Sequence, residues 1–192
     1  MVSADQICQE LLNDVRRFAR EVKEIFTRLV LPTWGSELHG LPDTLYGYML
    51  GTFARIDLTS AYWRGSDAGK QTDRMVSFME VYLGRSRDLC SVAVQMWRHT
   101  LVHTAQPRPL RDPTNGVVYR WLLHWRDHLP ENQHFKFMEC GRERILNLGL
   151  MYLIEDLERG IKAYAAEVAI DTTLQNNIVR FEQELSNQAL RL

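Results

Sequence analysis

Between Ile7 and Leu29 the apolar residues recur at steps of four and three, at Ile7, Leu11, Val15, Phe18, Val22, Ile25 and Leu29, and this spacing restricts the fold more than any other feature of the chain. A stripe of that period lies along one face of an α-helix, and the face must be covered by other elements. Ser3 and Gln6 stand at capping-box spacing ahead of the stripe and Pro32 ends it, which predicts one long amphipathic helix. After a stretch rich in breakers (Pro32, Gly35, Gly40, Pro42), Asp43 is placed to cap a second helix carrying Leu45, Met49, Phe53, Ile56 and Ser60 towards Gly65. Thr72 is the candidate cap of a third, with Met75, Phe78, Met79 and Tyr82 ahead of Gly84. A fourth runs from Ser86 to Thr104 through Leu89, Val92, Ala93 and Met96, and stops before Pro107 and Pro109. Leu146, Leu150, Leu153, Leu157, Ile161, Tyr164 and Val168 mark a fifth. Leu174, Ile178, Phe181 and Leu185, behind Asp171, mark the last.

From Val117 the period drops to two. Val117, Tyr119, Trp121, Leu123 and Trp125 alternate with Val118, Arg120, Leu122, His124 and Arg126, and alternation returns over His134-Phe135-Lys136-Phe137-Met138 after a turn at residues 127–132. This reads as a two-stranded hairpin over 117–138, which must pack on the helices or on a partner because an isolated hairpin is marginal in water. The expected fold is all-α: a single domain spanning 1–192, a helical bundle of about six helices with one β-hairpin insertion.

At 192 residues the chain is long enough to bury one substantial core. Lys and Arg number 23 against 24 Asp and Glu, a net charge of -1, so nucleic-acid binding must come from a local patch. No stretch approaches the roughly 18 continuous apolar residues of a membrane span, and the first residues lack a basic segment leading into an apolar run. The expectation is a cytoplasmic protein that does not engage a membrane. Cys8, Cys90 and Cys140 are odd in number and share no CxxC, which points to small buried apolar residues and not to a disulfide framework or a zinc site.

One stretch combines groups that do chemistry: Met96-Trp97-Arg98-His99-Thr100-Leu101-Val102-His103. On an ideal helix Arg98 and His103 lie about 140° apart, while His99 and His103 stack one turn apart. Arg98 and His103 therefore converge only if the helix ends near His103 or if a twofold-related copy supplies the matching group. Residues 85–126 hold seven arginines (85, 87, 98, 108, 111, 120, 126) and two acids (Asp88, Asp112), a window of +5 suited to phosphate.

Arg98-His99-x3-His103 resembles the R-x(4–6)-H motif of the HEPN superfamily, in which the residue after the arginine is typically Asn, Asp or His. Arg55-Ile56-Asp57, Tyr62-Trp63-Arg64-Gly65, residues 78–83, Trp97-Arg98 and Leu101-Val102-His103 are similar to a group of small bacterial HEPN-like proteins, from which this chain departs by carrying the strand segment. The resemblance implies a homodimer whose two motifs face each other across a cleft and act as a metal-independent endoribonuclease in stress or phage defence. It implies RNA as substrate, an inhibitor or antitoxin protein as partner, and no cofactor or metal. The residue types suit that chemistry. A ribose 2′-hydroxyl attacks its own phosphate when a histidine handles protons near neutral pH and an arginine stabilises the charge on the phosphorane. His103 would be the general acid/base, Arg98 the phosphate stabiliser and His99 a positioning or auxiliary proton group. A second reading stays open: Val92, Met96, His99 and His103 continue one stripe, Arg98 pairs with an acid such as Asp57, and the chain is a non-catalytic homodimeric interaction or regulatory module.

Other groupings read as structural. His124 and His128, with Asp127 and His134 nearby, have a metal-pair spacing but fall on a strand and turn, as part of a solvated hairpin. Trp121 and Trp125 share a strand face, whose default role is packing. Gly65-Ser66-Asp67-Ala68-Gly69-Lys70 lacks the spacing of a phosphate loop. Glu155, Asp156 and Glu158 read as a solvated helix face.

Overall fold

The structure is a computed structural model that describes residues 2–30, 43–100, 108–125 and 129–189. Helix α1 (Ala4–Ile25) opens as its sequence dictates, with the Ser3 hydroxyl accepting the Gln6 N–H at 3.1 Å, and continues as a π-helical stretch, Phe26–Val30. Its face of Ile7, Leu11, Val15, Phe18 and Val22 is buried. Helix α2 (Asp43–Arg64) buries Leu45, Met49, Phe53, Ile56 and Ser60 completely. Helix α3 (Gln71–Tyr82) follows, and α4 (Arg87–Ala93) runs on as a π-helical segment, Val94–Thr100. The expected extension of this helix to Thr104, and the breaker stretch from Pro32 to Pro42, lie outside the described residues.

Strands β1 (Leu110–Arg111), β2 (Val118–His124), β3 (Lys136–Cys140) and β4 (Glu143–Gly149) precede helices α5 (Leu150–Val168) and α6 (Thr172–Ala189). Asp171 caps α6, its Oδ1 accepting the N–H groups of Thr173 and Leu174. Helix α1 lies along α5, and α2 packs on both α3 and α6. Among the described residues there are six α-helices, none long and apolar enough to cross a membrane.

The bundle expectation holds in its coarse form, but the hairpin at 117–138 is corrected. The sheet has four strands in the order β1-β2-β4-β3; β2 and β4 are parallel, with Trp121 opposite Leu146, and the hairpin is β3–β4. Leu146, assigned above to a helix, sits at the centre of β4. Its spacing to Leu150 and Leu153 mimics a helical stripe only because a buried strand runs directly into a buried helix. The turn between β3 and β4 is two residues, Gly141-Arg142, with Gly141 at φ 62°. Glycine in the first position of such a turn suits the primed type that joins twisted strands.

A second correction concerns Asp156. It is 3% exposed, not solvated, and it gathers Arg85 (Nη2 to Oδ2, 2.5 Å), Arg159 and His134. His134 is itself buried, so it does not belong to a solvated hairpin; its Nδ1 accepts the Gly149 N–H at 3.0 Å. The ring proton therefore sits on Nε2, 3.3 Å from Asp156 Oδ2, long for a hydrogen bond but close for a polar contact. Phe135, the next residue, is buried at φ 57° and donates its N–H to the Asn147 carbonyl at 2.8 Å, which pins a backbone conformation unusual for a side chain of this size. Burial alone pushes the Asp156 carboxyl up, but contacts from His134 and Arg85 outweigh it and hold the group below the ordinary aspartate range.

A depressed carboxyl lets the unfolded chain bind more protons in acid, so this contribution to stability is present above the unfolded aspartate value of about 3.9 and is lost as pH falls through the lower folded value. Asp156→Asn is expected to lose about 3–5 kcal/mol at neutral pH and to show a shallower fall in stability in acid than the wild type in urea titrations; parallel acid limbs would contradict the assignment. Met96→Ala, at a fully buried position, is expected to cost about 2–5 kcal/mol, and Arg87→Ala, on the surface, under about 1 kcal/mol.

Candidate functional site

The segment that carries Arg98 and His99 is anchored from beneath. Val94, Met96 and Trp97 are completely buried, and the Trp97 ring lies 5.9 Å from both Tyr46 of α2 and Trp121 of β2. With Trp97 committed to this cluster, Arg98 and His99 emerge half-buried beside α2 and α3. The π winding matters here because its bonds run from i to i+5. That pattern brings residues five apart into near register, whereas an α-helix separates them by about 140°. His103 lies outside the described residues.

Asp57 stands in the middle of the group. Its Oδ1 accepts a hydrogen bond from Arg74 Nη2 at 2.6 Å, and its Oδ2 accepts one from Gln71 Nε2. Arg98 Nη2 approaches the same Oδ2 only to 3.8 Å, an ion pair without a hydrogen bond. Arg74 is nearly fully buried and is satisfied further by the Ser60 hydroxyl at 3.1 Å and the Ser66 carbonyl at 3.3 Å. Arg98 Nε, by contrast, is buried with no hydrogen-bond partner among the described residues. Two guanidiniums thus share one carboxylate, with Arg74 holding the hydrogen bond and Arg98 the longer ion pair. The net charge of the trio is positive, and the excess lies on Arg98. His99 Nε2 shares a 2.7 Å hydrogen bond with the Thr72 hydroxyl. This places Thr72 inside the first turn of α3, not at the cap position, which belongs to Lys70.

Pairing of Arg98 with Asp57 was legible from the sequence, but Arg74, Gln71 and Thr72 were not. A signal existed: Arg74 falls four residues ahead of Phe78 on the apolar face of α3, as Asp57 falls on the apolar face of α2. Two opposite charges on facing apolar stripes call for each other.

Four arginines of the +5 window are paired with carboxylates. Arg85 is held by Asp156, Arg87 by Glu80 at 3.3 Å, Arg98 by Asp57 and Arg120 by Glu143 at 2.8 Å, all carboxylates outside the window. Trp125 is buried and stacked on Phe26 at 3.9 Å, which removes it as a platform for bases. His134 is buried against Asp156, and His128 lies outside the described residues. Among the described residues no group of three or more His, Cys, Asp or Glu is placed to hold a metal ion. The loop at 65–70 is a helix–helix corner clamped by Arg180, whose Nε and Nη2 donate to the carbonyls of Gly65 and Arg64. Gly65 is required there: its φ is 74°, and a Cβ would stand 2.8 Å from the Asn177 backbone.

The unequal sharing of Asp57 has a measurable consequence. Asp57→Ala strands a buried guanidinium and is expected to cost about 3–5 kcal/mol. Arg98→Ala gives up only a long, partly solvated pair and is expected to cost about 1 kcal/mol or less. Equal losses in chemical denaturation would show that Arg98 is as structural as Arg74.

Set against protein-family models, curated proteins and solved structures, the chain matches none, so the function of this site is argued from its own residues.

Proposed function

We propose that the chain is a HEPN-like, metal-independent endoribonuclease working as a homodimer, with Arg98 and His103 as its catalytic residues. The observation that supports this most is the state of Arg98: a half-buried guanidinium on a π-wound turn, whose Nη2 makes only a 3.8 Å ion pair with Asp57, a carboxylate hydrogen-bonded to Arg74 and Gln71. A guanidinium so placed has donors left for a phosphate oxyanion, and π turns recur at functional sites.

In the proposed reaction the ribose 2′-oxygen attacks the adjacent phosphorus as His103 takes its proton. The P–O5′ bond breaks and the proton taken up by His103 is given to the leaving 5′-oxygen, giving a 2′,3′-cyclic phosphate and a 5′-hydroxyl. Arg98 stabilises the charge that builds on the non-bridging oxygens. The bond from His99 Nε2 to Thr72 suits a positioning role better than proton transfer, since a shuttle would have to give that bond up. The same bond, with the Asp57 pair, favours the second reading, a non-catalytic homodimeric interaction module in which both groups hold the bundle together.

The test is RNA incubated with purified protein in chelator. The wild type is expected to leave cyclic phosphate ends, His103→Ala to lose about 10²–10⁴-fold in rate, and Arg98→Ala about 10²–10³-fold, with unfolding free energies within about 1 kcal/mol of the wild type. Activity that requires a divalent ion would overturn the mechanism, and no cleavage of any RNA offered would favour the interaction module.

A further inference from the structure

A groove between α4 and the sheet is not used by the chemistry above. It encloses about 290 Å3, with Asp88 and Ser91 of α4 and Gln95 of the π-helical segment on one side and Tyr119, Phe137 and Arg144 of the sheet on the other. Tyr119 of β2 and Phe137 of β3 flank β4 on the same face, their ring centroids 5.6 Å apart, and the Arg144 guanidinium between them lies 4.9 Å from the Phe137 centroid. Neither ring is fully buried, so the groove has a π-rich floor open to a planar guest. Its rim carries both kinds of hydrogen-bonding charge: the carboxylates of Asp88 and Asp112 and the guanidiniums of Arg111 and Arg144. Arg144 spends its Nε on Glu139 at 2.7 Å and makes a further side-chain hydrogen bond with Tyr119, which leaves the remainder of its five N–H groups for a ligand.

We propose that this groove is a guanine pocket that seats the base of a nucleotide in single-stranded RNA. Guanine presents adjacent donors on one edge and the O6/N7 acceptor pair on another, which match a carboxylate and a guanidinium respectively. Asp88 is the carboxylate assigned to the donor edge, because it lines the groove from the α4 side, opposite the sheet residues. Gln95, on the groove lining, stands three residues ahead of Arg98 in the chain. The ligand class rests on the ribonuclease reading; the geometry of the groove does not.

Titration calorimetry of the full chain with 5′-GMP, 5′-IMP and 5′-AMP tests this without any cleavage. GMP is expected to bind about tenfold or more tighter than IMP, which lacks the exocyclic amine, and tighter still than AMP. Asp88→Asn, at an exposed position, is expected to erase the difference between GMP and IMP, and Ser91→Trp to fill the groove and abolish binding of all three. Equal affinities, no binding at millimolar nucleotide, or discrimination that survives Asp88→Asn would each overturn the pocket. The two proposals fail separately. RNA cleavage with no preference for guanine sinks the pocket alone, and GMP binding by a protein that cuts no RNA sinks the nuclease alone.

Discussion

A carboxylate taken out of water must be answered by positive charge and hydrogen bonds, and this chain meets that demand twice, at Asp57 and at Asp156. The penalty for burying one unanswered is several kcal/mol, a large share of the stability of a domain this size. Both are answered mainly from one region of the chain. Arg74 on α3 and Arg98 on the π segment serve Asp57 of α2, while Arg85, between α3 and α4, serves Asp156 of α5. The corner formed by α3 and α4 is thereby tied to helices on either side of it. Through His134 and the Gly149 N–H, the Asp156 group also ties the sheet to the junction of β4 with α5.

That anchoring decides what the segment Val94–Thr100 presents. Trp97 faces the aromatic cluster of Tyr46 and Trp121, and the next two residues are left at the edge of the bundle, one beside Asp57 and one against Thr72. Arg74 takes the better geometry on Asp57, and Arg98 holds the longer ion pair. In the proposed reaction this guanidinium would stabilise the charge that builds on the phosphorane.

Much of the helical architecture was legible because its stripes are long. Every apolar position from Leu45 to Ile56 in α2 and from Leu150 to Val168 in α5 that the period selects is buried. In the sheet, β2 and the start of β3 were legible as alternating segments, but β1, β4 and the pairing were not. Leu146 and Leu148 fit period two as well as Leu146 and Leu150 fit period four, and parallel pairing of β2 with β4 joins segments whose contact no local pattern encodes. The signal overlooked was Gly141, which marks the real hairpin. At the site, Asp57 was recognised as an acid in an apolar helix, but Asp156 was read as surface because it is flanked by Glu155 and Glu158, which follow the charged face of α5. Linear charge misled in the same way. Four arginines of the basic window are matched by acids distant in sequence, and only folding brings them together.

The central claim, that an internal ribose hydroxyl is the nucleophile at Arg98, meets its most direct test in one RNA made in two forms that differ by a single 2′-hydroxyl at a mapped cleavage position. The account predicts that the 2′-deoxy form binds within about twofold of the parent yet is not cut at that position, since the attacking atom is gone. Cleavage of both forms at equal rates would contradict it, because the nucleophile would then have to come from elsewhere.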